Sequence, residues 1–399
     1  MGWTASGLAP ALVTTTSAQG LATFAVFVLP VLAPFALRDL GVEPHWIGHQ
    51  VAAIYVAAAL VSSIAGGVIG RWGPARGSQV AVGAGSAGCL LIALGGLPGA
   101  ILGSVLIGAG YGLTNPAASM VLSRMTPPGR RNLVYGVKQM GVPLGAALAG
   151  LTLPGLALVT GWRGAALAIA AVLALAALVL QVFRPHWDLG RDRSAPLRGA
   201  GGGIGLLRAR PALFSVAVIG ALYSAAQLSI GAYAVTMLVE EFRWSPVAAG
   251  ALAAALQISG ALGRILWAWT ADRTRSGMLV LTGLGLMSAA ACLPLPLAIH
   301  WPAAALAPLL CLLGLCAAGW NGVMLAEASR LAPPGGSGYA TGAVLSVTFA
   351  GVVTGPTLFA AIFAGVGSYA GAFALLAALP LAGAAVAWRA HRGAGITPP

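Results

Sequence analysis

Charge is scarce in this chain: only 7% of its 399 residues are Asp, Glu, Lys or Arg, and only eight are acidic. A soluble domain carries roughly a quarter of its residues as charged side chains, so a globular protein facing water on all sides is excluded. Cysteine is sparse too. Cys89, Cys292, Cys311 and Cys316 sit in apolar stretches without metal-ligating company and read as small core residues, so no metal site or disulfide framework is expected. There is no Gly-rich phosphate loop ending in Lys and Ser/Thr, and no Ser/His/Asp set. His45, His49, His186, His300 and His391 fall near the ends of apolar stretches or in polar segments. An enzyme is therefore not expected, and neither a cofactor nor a nucleotide is implied.

What the chain has in abundance is uninterrupted apolar sequence. It is 59% hydrophobic, and no charged residue occurs in 11–37, 44–70, 77–123, 164–183, 211–239 or 331–388. About 20 residues cross a bilayer as a helix, so several of these stretches hold two crossings each. Turn-forming residues divide them: Gly95-Gly96-Leu97-Pro98-Gly99, Leu293 to Pro302, and Gly365-Val366-Gly367-Ser368. Twelve spans result, predicted at roughly 11–36, 46–69, 78–97, 100–124, 132–159, 163–184, 211–238, 246–270, 277–298, 302–329, 337–364 and 367–389. Outer-membrane strands alternate in polarity over about ten residues, whereas these runs are apolar on every side, so the fold class is all-α integral membrane. Met1 to Pro10 carries no Lys or Arg, so the first apolar run is read as a span rather than a signal peptide.

A formal net charge of +13 raises the question of a polyanionic partner, and the placement of the cations answers it. With the N-terminus inside, the inner loops and tail hold Arg71, Arg76, Arg124, Arg130, Arg131, Arg184, Arg191, Arg193, Arg198, Arg208, Arg210, Arg273, Arg275, Arg330, Arg389 and Arg392, which is 16 of 21. The outer loops hold three: Arg38, Arg163 and Arg243. Positive loops face the cytoplasm, so both termini are expected there, in a multi-pass protein of the cell inner membrane. The partners this implies are a lipid bilayer and a small-molecule substrate, with no nucleic acid, and the chain is expected to function as a monomer.

Residues 185–210 form the one long polar insertion and include Arg198-Gly199-Ala200-Gly201-Gly202-Gly203. They read as a flexible cytoplasmic linker between 1–184 and 211–399, each a six-helix bundle. The two parts repeat one another. Asn115, Ser123, Arg124, Pro127, Pro128 and Gly129 recur 206 residues later as Asn321, Ser329, Arg330, Pro333, Pro334 and Gly335, and Gly108 as Gly314; Arg71 recurs 202 residues later as Arg273. Pro44 and Gly48 recur 202 residues later as Pro246 and Gly250. Repeated halves with a central site are an architecture of secondary transporters.

These features resemble the major facilitator superfamily over essentially the whole chain. After span 2 the sequence reads Gly66-x-x-x-Gly70-Arg71-Trp72-Gly73, close to that family's G-x-x-x-D-R-x-G loop, with Gly70 where the family usually has Asp. A second copy, Ala268-x-x-x-Asp272-Arg273-x-Arg275, follows span 8. The resemblance implies a gating role for Arg71, Asp272, Arg273, Glu327 and Arg330 at the inner ends, with Glu327 the candidate partner of Arg273 or Arg330; a static ion pair is the alternative. Span 5, Gly136-Val137-Lys138-Gln139-Met140-Gly141-Val142-Pro143-Leu144-Gly145, is similar to the Gly/Pro-rich fifth helix of the superfamily's antiporters, and Pro143 is expected to bend it. Span 8, Gly263-Arg264-Ile265-Leu266-Trp267-Ala268-Trp269, resembles the eighth helix of the oxalate/formate antiporter and monocarboxylate transporter branch, where an arginine binds the substrate carboxylate. That role passes to Arg264.

Only Lys138 and Arg264 place a cation inside a span. The resemblance implies that spans 5 and 8 face each other, so that a substrate carboxylate would join the two charges. Lys138 could instead snorkel to the inner surface, and Arg264 could belong to a structural ion pair. Near mid-membrane lie Tyr111, Asn115, Gln139, Tyr223, Gln227, Gln257, Trp320 and Asn321, each either a cavity contact or a hydrogen bond between helices. Carriage of a small organic anion, a monocarboxylate, is the expectation. The alternative is export of amphipathic drugs or metabolites by proton antiport.

Overall fold

The computed structural model describes residues 7–43, 45–194 and 202–394. Pro44 and residues 195–201 of the central linker, Arg198 among them, lie outside the described residues; the rest of the linker is described, and Gly202–Ala209 within it is helical where a flexible segment was expected. Every regular element within them is helical. Ten segments are long and apolar enough to cross a membrane; one of them, Pro128–Trp187, contains a break at Gly161 (φ 72°) that makes it two, and Gly277–Cys292 is a shorter apolar helix, for twelve in all.

The boundaries follow local chemistry. Span 1 (Leu8–Leu40) ends where Gly41 takes the left-handed conformation (φ 68°), and the Gly41 N–H caps the helix on the Arg38 and Leu37 carbonyls. Span 8 (Pro246–Thr274) starts behind Ser245, whose hydroxyl accepts from the Ala248 N–H. The helix Gly277–Cys292 is 16 residues long, about 24 Å at 1.5 Å per residue and short of a bilayer core. The 3-10 turn Leu295–His300 follows it. Span 12 opens at Tyr369, where Ser368 accepts from the Gly371 N–H and Glu241 accepts from the Ser368 hydroxyl (2.6 Å) and the Ala370 N–H (3.0 Å).

Spans 5 and 10 differ from the uninterrupted helices expected. Span 5 is Arg131–Gln139 followed, after a break at Met140, by a helix starting at Gly141. Pro143 supplies no N–H to the preceding turn and its ring crowds the Gln139 carbonyl, so the helical hydrogen bonding is interrupted one turn upstream of it, while Met140 keeps helical dihedrals (φ −62°, ψ −22°). Span 10 is Ala303–Ala317 and Asn321–Arg330, interrupted at 318–320 without a proline.

The chain forms two compact units. The first comprises Met1–Thr126, Lys138–Arg210 and Ala328–Ser346; the second, Pro127–Val137, Pro211–Glu327 and Val347–Pro399. Two short stretches are thus held outside the sequence half that contains them.

In the first unit, helices approach with no side chain between them. A Cβ on Gly88 would fall 2.5 Å from the Gly103 carbonyl oxygen, and one on Gly145 would fall 2.1 Å from that of Gly20, so spans 3 and 4, and spans 5 and 1, meet backbone to backbone. In the second unit the core carries stacked aromatics: Tyr233 on Phe359 at 4.5 Å, and Phe359 against Phe373 at 4.6 Å.

Candidate functional site

Lys138, the single lysine of the chain, is 1% exposed. The break at Met140 ends the first part of span 5 one residue after Gln139, and Lys138 sits in its last turn. Its ammonium donates to Gln19 Oε1 of span 1 (2.7 Å), to Asn115 Oδ1 of span 4 and to Gln139 Oε1 (3.2 Å). Three neutral amide oxygens therefore surround a buried cation. Lys138 does not snorkel to the surface. Gln19 is the only amide side chain in span 1; it lies toward the start of Leu8–Leu40 rather than at its centre, so depth alone does not single it out.

Arg264 is 5% exposed, on the face of span 8 that also buries Gly260, Gly263, Ala268 and Ala271. Gly136 lies against it: a Cβ there would fall 2.6 Å from both the Arg264 carbonyl oxygen and the Ala268 Cβ. Gln257 is exposed, seven residues before Arg264 and so on nearly the same helix face.

The remaining mid-membrane polar residues divide by what they touch. Asn115 and Gln139 join Lys138. Tyr223 donates its hydroxyl to the Leu281 carbonyl (2.6 Å) and meets Trp320 edge to face at 6.0 Å. Trp320 in turn donates its indole N–H to the Ala317 carbonyl (2.9 Å). Asn321 donates to Gln227 Oε1 (3.2 Å), joining spans 10 and 7. Tyr111 packs edge to face on Tyr55 at 5.9 Å. Tyr223, Gln227, Trp320 and Asn321 thus tie helices of the second unit together, whereas Asn115 and Gln139 face a charge.

At the arginine-rich ends of the spans, Asp272 accepts from the Asn132 N–H (3.0 Å), the Asn132 side-chain amide (2.8 Å) and the Leu133 N–H (2.8 Å). A carboxylate at the start of the helix Arg131–Gln139 meets free N–H groups and the positive end of the helix dipole. Arg273 stacks on Trp269 at 4.8 Å. Glu327 is buried against the first turn of span 9, where a Cβ on Gly277 would fall 2.4 Å from a Glu327 carboxylate oxygen. Arg71 and Arg330 are exposed in the last turns of their helices.

A Cβ at Gly70 would lie 2.9 Å from the Tyr339 hydroxyl, and one at Gly66 would lie 2.4 Å from the Tyr339 ring. Tyr339 fills the space. Around it, Thr341 donates to Ser119 Oγ (2.8 Å), Ser337 donates to the Ser119 carbonyl (3.2 Å), and the Ser123 and Ser337 hydroxyls are bonded at 2.8 Å. Asp188, beyond span 6, accepts from the Ala75 N–H (2.7 Å) and pairs with Arg184 (3.3 Å), capping span 3 (Pro74–Leu94).

The Asp272 cap yields a direct prediction. Asp272→Ala removes three hydrogen bonds that involve a charge, worth about 1.5–3 kcal/mol each at most. A cysteine at Val134, which is 6% exposed, is expected to gain reactivity toward a membrane-impermeant maleimide in that background, with a lower melting temperature. Unchanged labelling would show that Asp272 holds nothing closed.

Apolar crossings and small-residue packing define a polytopic membrane protein. The chain belongs to the Major Facilitator Superfamily, whose family model matches residues 15–356 and 219–395. An uncharacterized MFS-type transporter of Mycobacterium tuberculosis (strain CDC 1551 / Oshkosh) is 28% identical over 282 residues, 69% of this chain; the match spans 61% of that relative's length. The fold matches the Escherichia coli fucose:proton symporter FucP (TM-score 0.77, 16% identity, 97% of this chain and 99% of that one). It also matches the proton:xylose symporter XylE (0.78, 14%, 96% and 96%) and the human organic anion transporter MFSD10 (0.79, 17%, 95% and 99%). At these identities the three structures share a fold with this chain, and their substrates remain their own.

Proposed function

We propose that this chain is a secondary transporter that carries a small organic anion, a monocarboxylate, by alternating access across the cell inner membrane, as a monomer with both termini in the cytoplasm. The observation that carries the reading is the Lys138 ammonium, 1% exposed and held by neutral amide oxygens. A buried cation in a membrane protein is costly, and such residues are kept for binding or transport. Arg264, buried in span 8, is the second candidate cationic contact, and its planar fork suits a carboxylate. In such a cycle the bonds of Asp272 and those of Ser119, Ser123, Ser337 and Thr341 join sequence-distant segments at the arginine-rich ends, and they are the contacts that would break on opening to the inside.

The test is a thermal-shift screen of the purified protein against short monocarboxylates, dicarboxylates, amino acids and lipophilic cations, with Arg264→Gln beside wild type. Monocarboxylates are expected to stabilise wild type and to lose that effect in Arg264→Gln. Stabilisation by lipophilic cations alone, indifferent to the substitution, would instead establish an exporter of amphipathic compounds.

A further inference from the structure

Building on the anion reading above, we infer that Gln19 is a specificity-determining residue of the first unit, holding the Lys138 ammonium with its side-chain carbonyl and offering its amide N–H groups to one carboxylate oxygen of the transported anion. Gln19 is fully buried, at 0% exposure, on span 1. Its Oε1 accepts from Lys138 at 2.7 Å, which fixes the amide's orientation, because the flipped amide would aim N–H donors at an ammonium. The Nε2 donors therefore point away from Lys138, and they meet no acceptor. One turn earlier on the same face, the buried Thr16 hydroxyl is also without a partner.

A fully buried amide donor without an acceptor is uncommon in folded proteins and marks a place where something else supplies one. Here the donor is adjacent to a cation. The Gln19 N–H groups would bond one carboxylate oxygen, while the ammonium, its own N–H groups given to Gln19, Asn115 and Gln139, supplies a nearby positive charge. The same pair selects against competitors. A cationic ligand would meet only positive charge and donors, and an uncharged amide or ester of the same acid would keep one acceptor but lose the charge that Lys138 recognises. Asn115 and Gln139 give their oxygens to Lys138 and so keep the ammonium aimed.

The experiment measures the thermal shift produced by the best monocarboxylate of the screen, and by its primary amide, in wild type, Gln19→Leu and Gln19→Glu. Gln19→Leu keeps Lys138 and is expected to weaken the apparent carboxylate affinity at least tenfold and to narrow the preference for acid over amide. Gln19→Glu places a carboxylate beside Lys138. It is expected to raise the basal melting temperature through that ion pair and to abolish the response to the ligand, since the anion's place is taken. Wild-type affinity and acid-over-amide preference in both variants, with Arg264→Gln still unresponsive, would overturn the role of Gln19 and leave the anion reading standing. If no carboxylate stabilises wild type, the anion reading itself falls, and the Gln19 assignment falls with it.

Discussion

Lys138→Met is expected to abolish carboxylate transport while leaving a folded, monodisperse protein. Methionine keeps the length and most of the volume of lysine and removes only the charge. The bonds lost are those to Gln19, Asn115 and Gln139. Against that loss stands the desolvation of an ammonium, several kcal/mol in a buried position, so replacing a buried ion by an apolar residue of similar size is often close to neutral for stability. With the ammonium gone, the Gln19 amide is free to flip and aim its N–H groups where its Oε1 stood. Transport has no such compensation. A charge-assisted contact to a substrate carboxylate contributes about 1.5–3 kcal/mol, roughly ten- to a hundred-fold in affinity. Uptake of a radiolabelled monocarboxylate into proteoliposomes should fall by about two orders of magnitude, with a melting temperature within a few degrees of wild type. Wild-type uptake would remove Lys138 from the site. Collapse of the fold would make it a structural residue, and Lys138→Gln, which can donate to Asn115, then separates the two roles through uptake in a folded protein.

The membrane-spanning character was legible in the sequence because a bilayer imposes a length and a polarity that few other environments do. The interruption of span 5 was legible from Pro143, whose missing N–H leaves the helix divided at Met140. The interruption of span 10 at 318–320 was not, since no proline announces it. There the backbone yields to packing: a Cβ on Gly319 would fall 2.5 Å from the Leu315 carbonyl oxygen and from the Trp267 ring. Charge pointed to Lys138 and Arg264, because a cation within an apolar run stands out. The shell around Lys138 was half visible. Asn115 and Gln139 were selected by depth, whereas Gln19 lies at sequence distance 119 from Lys138, and nothing local predicts that they meet. Tyr223, Trp320 and Asn321 shared the same depth, yet the structure uses their polar atoms on helix carbonyls and on Gln227. Depth identifies polar residues; only tertiary packing separates those that face a charge from those that fasten helices.

Gly66→Ala is expected to open the arginine-rich end of the first unit. The added Cβ would lie 2.4 Å from Tyr339 ring carbons and 2.5 Å from the Tyr339 Cα. A ring can rotate away, but a backbone atom moves only with its helix, so the segment Ala328–Ser346 must withdraw from span 2. The same displacement strains its other close approaches, since a Cβ at Gly342 would already lie 2.4 Å from the Ser62 carbonyl oxygen. It also pulls Thr341 from Ser119 and Ser337 from Ser123, each bonded at 2.8 Å. Overpacking of this kind costs about 1–3 kcal/mol, and the lost hydrogen bonds about 1 kcal/mol each, enough to shift a two-state equilibrium by two to three orders of magnitude. A cysteine at Ser119, which is 1% exposed, should pass from protected to readily alkylated in the Gly66→Ala background, and net uptake should fall as the cycle stalls with that end open. Because the closest unyielding atom is the Cα, adding Tyr339→Ala is expected to restore protection only in part. Full rescue by that second substitution would assign the obstruction to the ring alone, and protection as complete as wild type in Gly66→Ala by itself would show that Tyr339 does not press on span 2 in the membrane.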